Sequence, residues 1–174
     1  METTKWFDRQ FSFNHTPDEY PEIMARLKAA PTLLVKAVGT TSEDKLVRQI
    51  DGKWSIKEHI GHLSILEPLW RQRILDLQVC KKQLSPADLE NTVTSAAGFN
   101  DYLVFDLIAM FEEQRSKTLS LLANTDIVSI TAKSQHPRML RSLSLADHLH
   151  FVAEHDDHHI NHIRTSTNEH PKLG

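Results

Sequence analysis

Residues 144–163 read SLADHLHFVAEHDDHHINHI. Ser144 and the acidic Asp147 three places later match a capping box, in which an N-cap residue and the third helical residue satisfy each other's unpaired backbone N–H groups. The apolar residues that follow recur at helical spacing and form one stripe, made by Leu145, Val152 and Ile163 with Phe151 and Ile160 beside it. The stretch therefore predicts an amphipathic helix to about Thr167, which Pro171 and Gly174 keep from extending.

A first helix is predicted near the start of the chain. Thr16 and Glu19 make a second capping box, with Pro17 in the first helical position. Because Pro21 follows closely, the regular helix is expected to begin later than this cap. Pro31 is expected to break or kink the helix, since an interior proline removes a hydrogen bond and crowds the preceding turn.

A second, longer helix is predicted after a turn at residues 51–53. Ser55 and Glu58 make a third capping box, and the helix is expected to continue to about Cys80. The polar residues 81–97 that follow are expected to form a long connection with one short helical turn.

A third helix is predicted to begin with Asn100 as its N-cap, after the apolar Phe99, and to run to about Ala123. His136, Pro137 and Arg138 fall in the next predicted loop. With the last helix this gives four long amphipathic segments, which predict an all-α four-helix bundle in one domain over residues 1–174. Only five glycines are present and strictly alternating runs are nearly absent, so neither hairpins nor sheets are expected.

Composition excludes several classes of protein. Twenty basic residues face 23 acidic ones, for a net charge of −3, whereas proteins that bind nucleic acid present a basic face. Cys80 is the single cysteine, so an internal disulfide and an all-cysteine metal site are both impossible. No run approaches the roughly 20 apolar residues of a membrane span, and residues 1–6 lack a signal-peptide core. We therefore expect a cytoplasmic protein that binds neither nucleic acid nor membranes.

Histidine content is the first indication of function. Eleven of the 174 residues are histidine, and five of these lie between His150 and His162. At about 100° per residue, His155 and His159 differ by about 40° around the helix axis and lie one turn apart along it. Both are on the side of the helix that carries the apolar stripe. Two neutral imidazoles at positions i and i+4 can bind one divalent metal ion together.

A third ligand is expected from the second predicted helix, which carries His59 and His62. His59 falls at the fourth helical position, where a side chain packs against the residue before the cap, here Trp54, so capping favours His62 as the ligand. Helix phase favours His59, which lies nearer the centre of the apolar arc. His148 is the fourth residue of the last helix and is expected to pack against Leu143, the residue before the cap. Capping therefore argues against His148 as a metal ligand too.

Other histidines leave alternatives open. His158 and His162 are also an i, i+4 pair and, like His59, can replace one of the ligands. These two and His150 are expected at the surface. A bundle whose histidines are incidental and bind no metal also fits the spacing.

The acidic residues near these histidines have simpler interpretations. Glu58 completes the capping box, although it can also reach His62 as a hydrogen-bond acceptor. Glu67 and Glu154 are expected to be solvated helix residues, so no general base is assigned. Neither a serine triad nor a phosphate-binding glycine loop is recognisable.

Two motifs, in this order, resemble those of a known family. Residues 54–63, WSIKEHIGHL, and residues 154–160, EHDDHHI, resemble the DinB/YfiT superfamily, most of all its YfiT-like subgroup of metal-dependent hydrolases. The resemblance covers nearly all of the chain, including the His136-Pro137 loop and the helix that bears Arg115.

This resemblance implies a four-helix bundle, often a homodimer, in which three histidines bind nickel, zinc or a similar divalent ion. Residue by residue, the family's ligands fall on His62, His155 and His159. Members with an assigned reaction include S-transferases and isomerases that use a low-molecular-weight thiol such as bacillithiol or mycothiol. The resemblance thus implies an enzyme that acts on a small-molecule substrate by hydrolysis or thiol transfer, and the alternative is a non-catalytic bundle that binds a metal or small ligand.

Overall fold

A computed structural model of the protein describes residues 6–168. Seven helices follow one another in this range: α1 (Tyr20–Val38), α2 (Glu43–Leu46), α3 (Ile56–Gln78), α4 (Thr92–Ala96), α5 (Val104–Leu122), α6 (Ile127–Thr131) and α7 (Leu145–Asn168). The four long helices form a bundle in which α3 packs on α5 and α1 packs on α7, while contacts of α1 with α5 and of α3 with α7 close it. The predicted all-α four-helix bundle is confirmed.

Two of the predicted capping boxes form the starts of α3 and α7. At the start of α3, Ser55 Oγ accepts a hydrogen bond from the Glu58 N–H at 3.1 Å, and the Glu58 carboxylate accepts one from the Ser55 N–H at 2.7 Å. Ser144 and Asp147 make the same reciprocal pair at the start of α7, at 3.1 and 2.9 Å. Each pair satisfies backbone donors that have no partner in a first helical turn, so both helices begin where the sequence predicts.

Helix α1 follows the prediction in part. Thr16 caps a 3₁₀ turn over Pro17–Glu19, and the regular helix begins only at Tyr20, as the nearby proline indicated. Of the break or kink predicted at Pro31, the break is wrong, because α1 continues through this residue, and the kink stays a prediction. Pro31 is buried in the bundle, and burial of its ring offsets the backbone hydrogen bond that it removes.

Helix α5 begins later than predicted, because the residues expected to start it are used elsewhere. A 3₁₀ turn occupies Phe99–Asp101, and α5 starts only after it. Asn100 Oδ1 accepts a hydrogen bond from Ser55 Oγ at 2.7 Å, so the predicted N-cap serves another helix. Phe99 packs on Gly61, where an added Cβ would lie 2.4 Å from the ring, and only glycine allows this approach.

The connections between the long helices also carry structure. The short turn predicted within residues 81–97 is α4. The expectation that no hairpin is present is wrong, since β1 (Lys133–Gln135) and β2 (Ser142–Ser144) pair antiparallel before α7. Three-residue strands are too short to show a periodic pattern in the sequence. The predicted loop with His136 is the turn of this hairpin, where the His136 N–H donates to the Arg141 carbonyl at 2.8 Å.

A layer of buried charges separates two apolar clusters of the core. One cluster contains Leu34, Ile60, Leu107, Phe111 and Ile160, and the other contains Leu27, Trp70, Ile74, Leu149 and Val152. Between them along α3, α5 and α7 lie Glu67, Arg115 and Asp156, which are 0, 1 and 2% exposed. Arg115 donates to Glu67 at 2.6 and 2.9 Å and to Asp156 at 2.7 and 3.1 Å. The expectation that Glu67 is solvated is therefore wrong, because this carboxylate neutralises a buried cation.

Two further predictions concern the ends of the chain and membranes. Residues 1–5, Pro171 and Gly174 lie outside the described residues, and α7 is described to Asn168. None of the helices within residues 6–168 combines the length and the apolar character needed to cross a bilayer.

Candidate metal centre

Three histidines from two helices meet in the interior of the bundle. His62 of α3 and His155 and His159 of α7 each offer one ring nitrogen, and these nitrogens lie within 4.8 Å of one another. The Nε2 atoms of His155 and His159 are 3.2 Å apart. The three residues are 4, 5 and 5% exposed. Within residues 6–168, no other group of histidine, cysteine or acidic side chains comes together in this way.

Contacts on the far side of the rings orient two of the three histidines. His62 Nδ1 lies 2.9 Å from Thr94 Oγ1, and His159 Nδ1 lies 2.7 Å from His59 Nδ1. If each Nδ1 carries the proton and donates it in these contacts, Nε2 keeps its lone pair for a metal ion. Partners of this kind fix the tautomer and the orientation of histidine ligands.

His155 provides a separate test of whether the group fits a metal ion. Its Nδ1 is buried and has no hydrogen-bond partner among the described residues, while its Nε2 faces that of His159. Buried polar atoms without partners are costly. If the proton of each ring is on Nδ1, two Nε2 lone pairs face each other, and a divalent ion bound by both removes this repulsion, so the donor set fits such an ion.

Burial keeps the three rings neutral at pH 7. It lowers the pKa of His62 to about 4. Burial, followed by the neighbouring histidines, lowers the pKa of His155 and of His159 well below the usual value. Neutral imidazole is the form that binds metal ions, so all three side chains are available as ligands.

The structure places His62 in the cluster of three histidines and His59 beside it. The His59 ring contacts Trp54 at a centroid distance of 5.6 Å, as the capping argument predicts. His59 also reaches His159 through Nδ1, which the sequence did not indicate. The cluster of three therefore contains His62, and His59 supports it from outside.

The remaining candidate histidines lie around the cluster without joining it. His158 packs against Trp6 at a centroid distance of 5.5 Å, and His162 stacks on His59 at 5.2 Å. These two and His150 are half-buried, so their expected surface positions are correct only in part. Their partners come from segments distant in the sequence, which helix phase alone does not reveal.

The acidic residues considered above all have partners. Glu58 accepts from the Ser55 N–H and from Gln49, which confirms its capping role. Glu154 accepts from Arg9 and Arg26, at 2.6 Å in each case, so it is not a simple solvated residue.

A cavity of about 400 Å³ opens beside the three histidines. Its apolar wall is formed by Trp6, Trp54, Leu66, Trp70 and Phe151, and its polar lining includes Arg73, His136 and Arg138. The Trp70 ring lies 5.7 Å from the His155 ring and 5.4 Å from Cζ of Arg73. Trp70 thus connects the histidine cluster with the arginine-lined part of the cavity.

Sequence reasoning missed this arginine-lined part, although one signal was available. Arg73 follows His62 by eleven residues on α3, which places the two within about 20° on one helix face. Trp6 and His136 gave no comparable signal, since each reaches the cavity from outside the four long helices.

The fold and the site together define a class of protein: a four-helix bundle with a buried cluster of three histidines beside a cavity. The sequence profile described as the DinB superfamily matches residues 26–163. The chain belongs to the DinB superfamily.

Similarity to a solved structure supports the same fold. The chain resembles YfiT from Bacillus subtilis, described as "a probable metal-dependent hydrolase with an unusual four-helix bundle topology". The two chains are 18% identical, the match covers 91% of each, and the TM-score is 0.79. No curated protein matches the sequence. The family and the fold indicated by the two histidine motifs are therefore confirmed.

Proposed function

We propose that His62, His155 and His159 bind one divalent metal ion, with nickel and zinc as the first candidates, and that the protein is a metal-dependent enzyme. The observation that supports this is the meeting of three buried, neutral imidazoles within 4.8 Å beside a cavity large enough for a small molecule. A set of three protein ligands is typical of catalytic zinc sites, whereas structural sites use four.

The chain's own residues position and shield this site. Thr94 and His59 hold the rings of His62 and His159 through their Nδ1 atoms. Trp54 lies 4.6 Å from the His62 ring and Trp6 lies 5.0 Å from the His155 ring, and these side chains limit the access of water. When bound, a divalent ion supplies a Lewis acid and activates a water or a thiol as the nucleophile.

Hydrolysis is the first reaction we propose, because the similar YfiT is described as a probable metal-dependent hydrolase. Transfer to a low-molecular-weight thiol is the second, and one observation favours it. Glu154 and Asp156, which flank His155, are engaged by arginines and are not placed to take a proton from water. A thiol ionises more readily than water and needs less help from a base.

Metal content tests the site. Protein loaded with nickel, zinc or cobalt and then dialysed is expected to retain about one ion per chain by elemental analysis. His62→Ala and His159→Ala are expected to lose the ion, whereas His150→Ala, outside the cluster on the same helix as His159, retains it. Unchanged metal content in both cluster variants would refute the assignment.

Cobalt-loaded protein then separates the two reactions. Product release from ester or amide substrates without added thiol supports hydrolysis. A change in the visible spectrum of cobalt on addition of a thiol, with transfer to an electrophilic substrate, supports thiol transfer. Full metal binding without turnover in either panel contradicts an enzyme and favours a non-catalytic binding bundle.

A further inference from the structure

Arg73 is a buried cation in the wall of the cavity. It is 2% exposed, its Nε donates to the Ser85 carbonyl at 2.8 Å, and its guanidinium lies over the Trp70 ring. Among residues 6–168 it forms no ion pair with a carboxylate. Burial lowers the pKa of Arg73 to about 10, so the group stays charged at pH 7. Buried arginines without a paired anion are rare, because an uncompensated charge is costly.

The acidic residue closest to Arg73 along α3 does not pair with it. The Asp76 carboxylate accepts from the Ser85 N–H at 2.7 Å, from Ser85 Oγ at 2.8 Å and from Lys81 at 3.0 Å. Asp76 thus fixes Ser85, and the Ser85 carbonyl in turn orients Arg73. The Asp76 carboxylate is near enough to favour the charged guanidinium, but among residues 6–168 no carboxylate accepts a hydrogen bond from it.

His136 presents a second donor at the same place. Its Nδ1 accepts hydrogen bonds from the backbone N–H groups of Arg138 and Met139, both at 3.2 Å, so the proton of the neutral ring is on Nε2. Nε2 lies 3.3 Å from Nη1 of Arg73. Two N–H donors therefore face each other with no acceptor between them. A group that accepts from both relieves this contact.

We propose that Arg73 and His136 bind a carboxylate group of the substrate. The guanidinium offers a planar fork of N–H donors that matches the two oxygens of a carboxylate. Arg138 lines the same cavity and adds positive charge near both residues. The carboxylate supplies the directly bonded anion that Arg73 lacks among residues 6–168 and the acceptor that the two facing donors require.

The position of this site specifies the shape of the ligand. Trp70 contacts both His155 and Arg73, and Phe151 lies 5.8 Å from the His136 ring. An apolar wall thus separates the carboxylate site from the histidine cluster. The substrate is a small molecule with a carboxylate at one end, an apolar middle and its reactive group at the histidines. That this ligand is a substrate rests on the function proposed above, whereas binding of the carboxylate itself needs no metal.

Calorimetric titration of the 174-residue chain with benzoate and with benzamide tests the inference. The two probes share their shape and differ in charge. Benzoate is expected to bind more tightly than benzamide both to metal-loaded protein and to protein dialysed against a chelator. Arg73→Gln is expected to weaken benzoate binding about tenfold or more and to leave benzamide unchanged.

A matched control and a second variant complete the experiment. Arg164→Gln makes the same charge change at an exposed position of α7 and is expected to leave benzoate binding unchanged. Circular dichroism checks that Arg73→Gln folds. If Arg73→Gln does not fold, Arg138→Gln replaces it, because Arg138 is only half-buried. This variant is expected to weaken benzoate binding severalfold, and unchanged binding overturns the proposal.

Three further results overturn the carboxylate site. The first is equal affinity for benzoate and benzamide, and the second is a higher affinity for inorganic phosphate than for benzoate. The third is benzoate binding that requires the metal and that is lost in His62→Ala but kept in Arg73→Gln. Arg73→Gln is expected to keep its metal content. A chain that binds no metal but still binds benzoate through Arg73 contradicts the proposed enzyme and leaves this inference standing.

Discussion

Replacement of Arg115 by methionine is the most direct test of the buried charge layer. Methionine keeps much of the apolar volume of the side chain but removes the five hydrogen bonds that the guanidinium donates to Glu67, Asp156 and the Leu27 carbonyl. Two carboxylates that are 0 and 2% exposed then remain without their cation. We expect the free energy of unfolding to fall by about 3–5 kcal/mol, as when one partner of a buried ion pair is removed.

This loss is expected to depend on pH. Burial already raises the pKa of Asp156 to about 6, although Arg115 opposes the effect. Without Arg115 the pKa rises further, so the folded protein binds a proton more readily than the unfolded chain does. A group of this kind stabilises the fold at low pH, and the contribution is lost as pH rises through the folded pKa. The destabilisation by Arg115→Met is therefore expected to be larger at pH 8 than at pH 6.

Urea and thermal unfolding of metal-free protein, followed by circular dichroism, measure the effect. At about 3 °C per kcal/mol for a chain of this size, Tm is expected to fall by about 10 °C. Arg71→Met is the matched control, since Arg71 lies on α3 and bonds Gln114 and Thr118 but no carboxylate. Its cost is expected to be about 1 kcal/mol. Equal losses in the two variants, or a smaller loss for Arg115→Met, would refute the reasoning.

Three other predictions concern single sites. Thr94→Val removes the partner of His62 Nδ1 and is expected to weaken metal binding about 10- to 100-fold in competition with a chelator; unchanged affinity contradicts the role of Thr94. Gly61→Ala places a Cβ 2.4 Å from Phe99 and is expected to destabilise the fold by about 1–3 kcal/mol in urea, despite the better helix propensity of alanine; a more stable variant contradicts this packing. Burial lowers the pKa of His148 in the folded protein to about 3. As pH falls through about 6.5, this histidine is therefore protonated in the unfolded chain before it is protonated in the folded one. The free energy of unfolding then falls by about 1.4 kcal/mol per pH unit for each such histidine. A urea midpoint of metal-free protein that is the same at pH 7 and pH 5.5 contradicts that prediction.

The sequence predicts what depends on nearby residues. Ser55 and Ser144 each bond a carboxylate residue three places later, so the starts of α3 and α7 are local features. His155 and His159 are one turn apart, and their common side follows from helix geometry. Capping favoured His62 and helix phase favoured His59, and the structure places His62 in the cluster. Metal binding by this cluster, the homodimer and the cytoplasmic location remain predictions.

What the sequence did not reveal depends on contacts between distant segments. Asn100 is of a residue type that is common at N-caps, but its side-chain oxygen accepts a hydrogen bond from a serine 45 positions away. Glu67 is a common surface residue type, and its burial depends on an arginine 48 positions later. Arg73 shares a face of α3 with His62, yet its proposed role depends on the loop at Ser85 and the hairpin at His136. Local patterns carry no information about such partners.

All three tryptophans of the chain, Trp6, Trp54 and Trp70, line the one cavity beside the histidines. The intrinsic fluorescence of the protein therefore originates almost entirely from the walls of its candidate site. Nickel bound at the histidine cluster would quench this emission at short range, and a ligand that displaces water from the aromatic wall would shift it to shorter wavelength. The protein carries its own optical reporter, which can be read without a label, a known substrate or turnover.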